Sequence, residues 1–405
     1  MKLPKIHRIH LGVPQWIAAA LLLCLVAQCA WVIHRQQLTP ADYRYARCGR
    51  EMWERPSPLA GYFTSCGNLN GDGIFAYRAA GLPLTAQRFV LQAIDRLRSP
   101  ETRVYAQSSL DGSTWEARHQ LSSIVWLIHM PFVLFAALLG GGLWWVSRRL
   151  FGTEGGVFAL GLYCFTPAVV RAAVTPNNDV LAMWGLYGTV YTAIGVAHAM
   201  QGPRRKWRPR IVLLAVALGF TAAAHLLAAI IGLIAAFALM LYLAERRRGY
   251  VTQILLISLM GAVAILFAFF AFRPDAFAYV FTGGAARFWF SLNGLRTFFE
   301  SYAHAPVAIA LVVAMILYLG VRRCRYFGNT APFLLVLAIF PLMTTQVASS
   351  PWLWSLPFLF TFLGGVFADA IETDYRRMFL ILMGCILTTQ AVISISLLPA
   401  AVSAR

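Results

Sequence analysis

Four polar positions sit at the edges of long apolar runs, where an ionisable group is costly enough to need a reason. Asp72 lies in Asn70-Gly71-Asp72-Gly73-Ile74-Phe75-Ala76-Tyr77-Arg78. The flanking glycines free the backbone, and Phe75 to Ala80 reads as a helix start, so the carboxylate either caps that helix or faces a site. Asp179 follows Thr175-Pro176-Asn177-Asn178, a turn in which any of residues 177–179 can cap the next helix. Glu116 and Arg118 stand before the second apolar run, as a salt-bridged helix start or as site residues. His225 is alone in an apolar stretch, where a packing role competes with a site at membrane depth. No zinc-type Cys/His spacing, P-loop, GxSxG or strand-borne GxGxxG accompanies them. What remains is the chemistry of isolated acids.

The elements that must position these residues follow from composition. Of 405 residues, 59% are hydrophobic and only 12% are charged, so the chain is solvated by lipid rather than water. The first run, Trp16 to Ile33, follows Lys2, Lys5 and Arg8 and precedes His34 and Arg35, without a small-residue cleavage site. It reads as an uncleaved first span with a cytoplasmic N-terminus, which puts the polar stretch 35–120 outside. Leu121 to Val146 then returns to Arg148 and Arg149, Val157 to Val170 exits, and Val180 to Met200 comes back to the basic cluster Arg204 to Arg210.

The run Ile211 to Ala244 has basic clusters at both ends, so both ends are cytoplasmic. Its length, about 50 Å as helix, predicts a hairpin of two short helices with an apex near Thr221 to His225. Val251 to Phe272 exits to a second outer loop, 273–305. Pro306 to Val321, Ala331 to Thr345, Trp352 to Ala368 and Met378 to Leu398 complete about eleven spans and leave the C-terminus outside. On this topology most of the net charge of +18 lies in cytoplasmic segments as an orientation signal, which removes nucleic acid as a partner. The preponderance of arginine over lysine and the compact loops point to a bacterial plasma membrane. Of seven cysteines, Cys48 and Cys66 fall in the first outer stretch, where an oxidising compartment would join them in a disulfide. Phe288-Trp289-Phe290 beside Arg287, with Phe298 and Phe299, in the second loop read first as an interfacial aromatic belt and second as faces for a sugar or acceptor.

This order of features resembles the integral-membrane GT-C glycosyltransferases, in particular the dolichyl-phosphate-mannose protein mannosyltransferase-like and lipid A aminoarabinose transferase-like enzymes. Asp72-Gly-Ile-Phe-Ala-Tyr77-Arg-Ala-Ala80 is similar to the family's first-loop segment, with Gly73 where relatives carry a second acid. Arg148-Arg-Leu-Phe-Gly152, Ala159 to Pro167, Arg171 and Asp179-Val-Leu-Ala resemble a second family segment. Pro351-Trp-Leu-Trp-Ser-Leu-Pro357 stands where an Arg-Tyr is common.

The resemblance implies an all-α polytopic bundle with a catalytic module over 1–250, including outer loop 35–120 and its short helices, and C-terminal transmembrane helices over 251–405. It implies transfer of a sugar from a polyprenyl-phosphate carrier to a lipid, glycan or protein acceptor on the outer, periplasmic face. In that scheme Asp72 is the base and Asp179 a second acid that orients substrate or a bound divalent metal, while Arg118, Arg171 and His225 hold the carrier phosphate. The competing readings are a lipid flippase or transporter and a degenerate GT-C scaffold. A transporter should carry ionisable residues mid-span and repeated halves, and neither is evident.

Overall fold

The structure is a computed structural model that describes residues 12–54, 73–97, 121–274, 277, 288–344 and 350–403. Lipid offers the backbone no hydrogen-bond partner, so apolar segments must close their own ladders as helices. Among the described residues, eight helices are long and apolar enough to cross a membrane. They are α1 (Val13–Arg35), α4 (Leu121–Cys164), α6 (Asp179–Met200), α8 (Leu226–Leu243), α9 (Gly249–Phe269), α11 (Ala305–Gly320, with the short turn before it), α13 (Pro351–Ile371) and α14 (Arg376–Ser403). Large apolar side chains such as Leu23, Ile234, Met260, Ile316 and Ile381 point outward, which suits a lipid solvent and would be a liability in water. The chain is an integral membrane protein.

Helix α4 joins two of the expected spans. Its 44 residues break at Gly152, whose φ of 80° only glycine adopts without strain, so the Arg148 to Gly152 junction separates two arms. The second arm stops at Cys164, short of the expected Val170. Pro167 cannot donate a ladder bond and biases Thr166 toward the extended state, so helix resumes as the separate α5 (Pro167–Ala173).

The expected hairpin is present as α7 (Arg208–Ala224) and α8, hinged at His225, whose φ of −157° and ψ of 120° are extended. Its basic ends meet at one pole: the Arg247 guanidinium lies 5.3 Å above the Trp207 ring and donates to the Gly202 carbonyl at 2.9 Å. With the two arms of α4 counted separately, and with α7 and α12 (Phe327–Ile339), the described residues supply the eleven apolar segments expected.

Two features depart from a plain bundle. The span expected over Ala331 to Thr345 is only α12, because Pro341 cannot extend the ladder. The chain continues into strand β2 (Leu342–Thr344), antiparallel to β1 (Phe288–Phe290) with Trp289 opposite Met343. This ribbon ties the second outer loop and its helix α10 (Asn293–Glu300) to the outer end of α12. In the first outer loop, α2 (Pro40–Glu54) packs along α3 (Ile74–Leu97). Cys48 on α2 is buried and disulfide-bonded, while Cys66 lies outside the described residues.

The core wraps α13, whose Trp354, Phe358, Phe360, Phe362 and Phe367 are fully buried among residues from both sides of position 250. The same helix carries the residues that hold Asp179.

Candidate active site

Asp179 is the first residue of α6, yet its side chain does not cap that helix. Asn178 stands at the N-cap without a side-chain cap bond, and Asn177 Oδ1 accepts the Asp179 N–H at 3.1 Å as a local turn bond. The Asp179 carboxylate instead turns to α13. Its Oδ1 accepts the Ser350 N–H and the Trp354 indole N–H, each at 3.2 Å. Asp179 is 3% exposed, and in so dry a setting these two donors fix its direction.

The Trp354 indole links two of the sequence-selected residues. One side of it bonds Asp179, and its ring lies 4.6 Å from the His225 ring at the α7–α8 break. His225 is 1% exposed and does not line the neighbouring cavity, so it bears on Asp179 through the indole. The first outer loop reaches the same point. A Cβ built on Gly73 would overlap the Asn178 side chain and the Ala224 carbonyl, so the position tolerates no side chain without displacement. This accounts for glycine at the position. Gly73→Asp is expected to lower stability by about 1–3 kcal/mol through overpacking and to shift the Asn178 turn. A thermal midpoint equal to that of the parent would contradict this packing.

Beside Asp179 is a cavity of about 650 Å³, lined by Arg171, Asn177, Asp179, His304 and Trp352 among others. Arg171 enters it from the last turn of α5 and has no carboxylate partner among the described residues. Opposite, Phe298 is 2% exposed and stacks on His304 at 5.1 Å. Phe298 therefore belongs to the wall of the cavity, not to an interfacial belt, whereas Phe290 and Phe299 are exposed.

A buried polar chain supports the floor. Asp42 and Thr39 form a reciprocal capping box at the start of α2, with Thr39 Oγ1 donating to Asp42 Oδ2 at 2.8 Å. Asp42 Oδ1 also lies 3.6 Å from His129 Nε2 on α4, and the ring's Nδ1 donates to the Val174 carbonyl on the cavity wall. Loop helix, span and turn are thus joined by one side chain.

Asp179 and Arg171 are together at this cavity, His225 stands behind it, and Asp72 and Arg118 lie outside the described residues. His304, Trp354, Asp42 and His129 escaped the sequence reading. His304 heads a span two residues before Pro306, and His129 is a lone polar residue in an apolar run; those were the signals available. No three His, Cys, Asp or Glu side chains converge to hold a metal among the described residues. Asp179 Oδ1 is already occupied by two N–H donors, which does not suit a metal ligand.

No protein-family model matches the sequence, and no curated protein matches it. Solved structures do. ArnT from Cupriavidus metallidurans in the apo state aligns over 90% of this chain and 61% of its own, with a TM-score of 0.58 at 15% identity. ArnT bound to undecaprenyl phosphate aligns over 93% and 64%, with a TM-score of 0.59 at 15% identity. The fold is that of ArnT. It is the GT-C architecture that the motif resemblance implied, and the chain spans less than two thirds of the length of ArnT.

Proposed function

We propose that the chain is a membrane glycosyltransferase that moves a sugar from a polyprenyl-phosphate carrier to an acceptor on the outer face. The observation that carries this reading is the outer-pole cavity, which joins a directed carboxylate, Asp179, to an arginine without a carboxylate partner, Arg171. The likeness of fold to ArnT, one of whose structures is bound to undecaprenyl phosphate, supports the choice of a phosphorylated lipid.

Such a transfer asks little covalent chemistry of the protein. Asp72 accepts the proton of the acceptor hydroxyl, and the acceptor oxygen then attacks the anomeric carbon. Arg171 and Arg118 neutralise the departing phosphate, and Asp179 orients the sugar. His225 acts as a positioning residue by bracing Trp354, and a Cys48–Cys66 bridge holds the first outer loop. The N-terminus is cytoplasmic, the C-terminus is outside, and the membrane is a bacterial inner membrane. These assignments go beyond the fold and stand on the positive-inside pattern and the motif resemblance.

The test is reconstitution of the full chain in liposomes with labelled polyprenyl-phosphate sugars and extracted envelope lipids or glycans as acceptors. Label should pass from carrier to acceptor. Movement of intact carrier across the bilayer without transfer would support a flippase instead, and absence of both would support a binding scaffold.

A further inference from the structure

We infer that His304 is a catalytic residue of this transfer, donating a hydrogen bond from its Nδ1–H to the phosphate oxygen freed as the sugar leaves. The inference rests on the glycosyltransferase reading and names a group that reading did not require. His304 is 8% exposed, and its Nδ1 is buried without a hydrogen-bond partner. Buried polar atoms are seldom left unpaired, because the group has given up water for nothing.

Two aromatic neighbours pack against the ring. It stacks nearly parallel to Phe298, at 5.1 Å and 10°, and meets Trp352 edge-on at 5.8 Å and 69°. Its backbone is also held: the His304 N–H donates to the Ser301 carbonyl at 3.0 Å, and the neighbouring Ala303 carbonyl accepts from Gln390 of α14 at 3.2 Å. His304 lines the same cavity as Arg171 and Asp179, and so brings a buried, unpaired nitrogen to its wall.

The other polar groups of the cavity decide what that nitrogen waits for. The Asp179 carboxylate is directed by Ser350 and Trp354, whereas Arg171 has no carboxylate partner among the described residues. The buried amide of Gln36 also lines the cavity with its Nε2 and Oε1 unpaired, so it can donate or accept; with Arg171 the full charge and His304 an N–H donor, the set complements an anion. During transfer the acceptor oxygen bonds to the anomeric carbon, and the bond from that carbon to the phosphate oxygen breaks, leaving its electron pair on the phosphate. The acceptor's proton passes to a carboxylate. A phosphodiester monoanion thus becomes a phosphomonoester dianion, and a donor aimed at the new oxygen is worth more after bond breaking than before.

The experiment uses the purified full chain in detergent at about pH 8, where a phosphate monoester is dianionic. Calorimetric titration compares undecaprenyl phosphate with its methyl ester, a diester monoanion. The parent should favour the monoester. His304→Phe keeps a ring on Phe298 but lacks the nitrogen, and should lose about tenfold in monoester affinity with diester affinity near that of the parent. His304→Asn carries an amide nitrogen near the Nδ1 position and should restore most of the preference. If His304→Phe keeps the parent's monoester-to-diester ratio, the role of His304 is overturned while the carrier reading stands. If the parent binds neither lipid, both fall.

Discussion

Asp72→Asn is expected to transfer sugar at least about 100-fold more slowly than the parent, with an unchanged thermal midpoint. The acceptor hydroxyl is a weak nucleophile until its proton has somewhere to go, and an amide cannot accept it. Asp72 is bonded to Gly73, which sits against Asn178 and the Ala224 carbonyl at the point where α6 and the α7–α8 hairpin meet. An amide is nearly the size of a carboxylate, so the loss should appear in the rate and not in folding. Labelled-sugar transfer by reconstituted parent and variant, with thermal denaturation of both, measures it. Transfer at the parental rate would remove Asp72 as the base and leave proton acceptance to another group.

Asp179→Asn is expected to lower the transfer rate by about 100-fold for a different reason. The amide oxygen can still accept from the Ser350 N–H and the Trp354 indole, so the direction of the side chain is kept. Its charge is lost, and with it the ability to orient sugar hydroxyls as a full acceptor. Trp354→Phe is the complementary change: it keeps a ring against His225 but removes the indole N–H that directs Asp179. Its rate should fall by a smaller factor, because Ser350 still holds the carboxylate. If Trp354→Phe were as slow as Asp179→Asn, the orientation of the acid would matter more than its charge. If Asp179→Asn turned over like the parent, the cavity would have to work without this carboxylate.

Much of the architecture was legible because lipid imposes a simple rule. Apolar runs must be helices, and arginines mark their cytoplasmic ends, so the two-helix hairpin over Ile211 to Ala244 could be read from charge and length. Arg247 meets Trp207 and Gly202 as that reading requires. The errors were local. Thr166-Pro167 splits a run that hydropathy reads as one, and Pro341 turns the end of α12 into a strand; hydropathy averages over such residues without sensing the missing donor. The site was legible only in part, because the sequence marks an acid near a span end but not its partner. In the sequence any of residues 177–179 can cap the next helix, and the structure turns the Asp179 carboxylate to Ser350 and Trp354.

The sequence by itself determined that this is a polytopic helical membrane protein, where its apolar segments run, and that Asp179 and Arg171 stand near one pole. Composition, hydropathy and charge are sums over neighbours in the chain, so they carry that much. Only the tertiary structure decided that α13 brings Ser350 and Trp354 to Asp179, that Trp354 connects it to His225, and that His304 faces the same cavity. Those contacts join residues more than a hundred positions apart, and no local pattern can encode them. They arise because a buried carboxylate in a dry core must find donors wherever the packing of distant helices provides them.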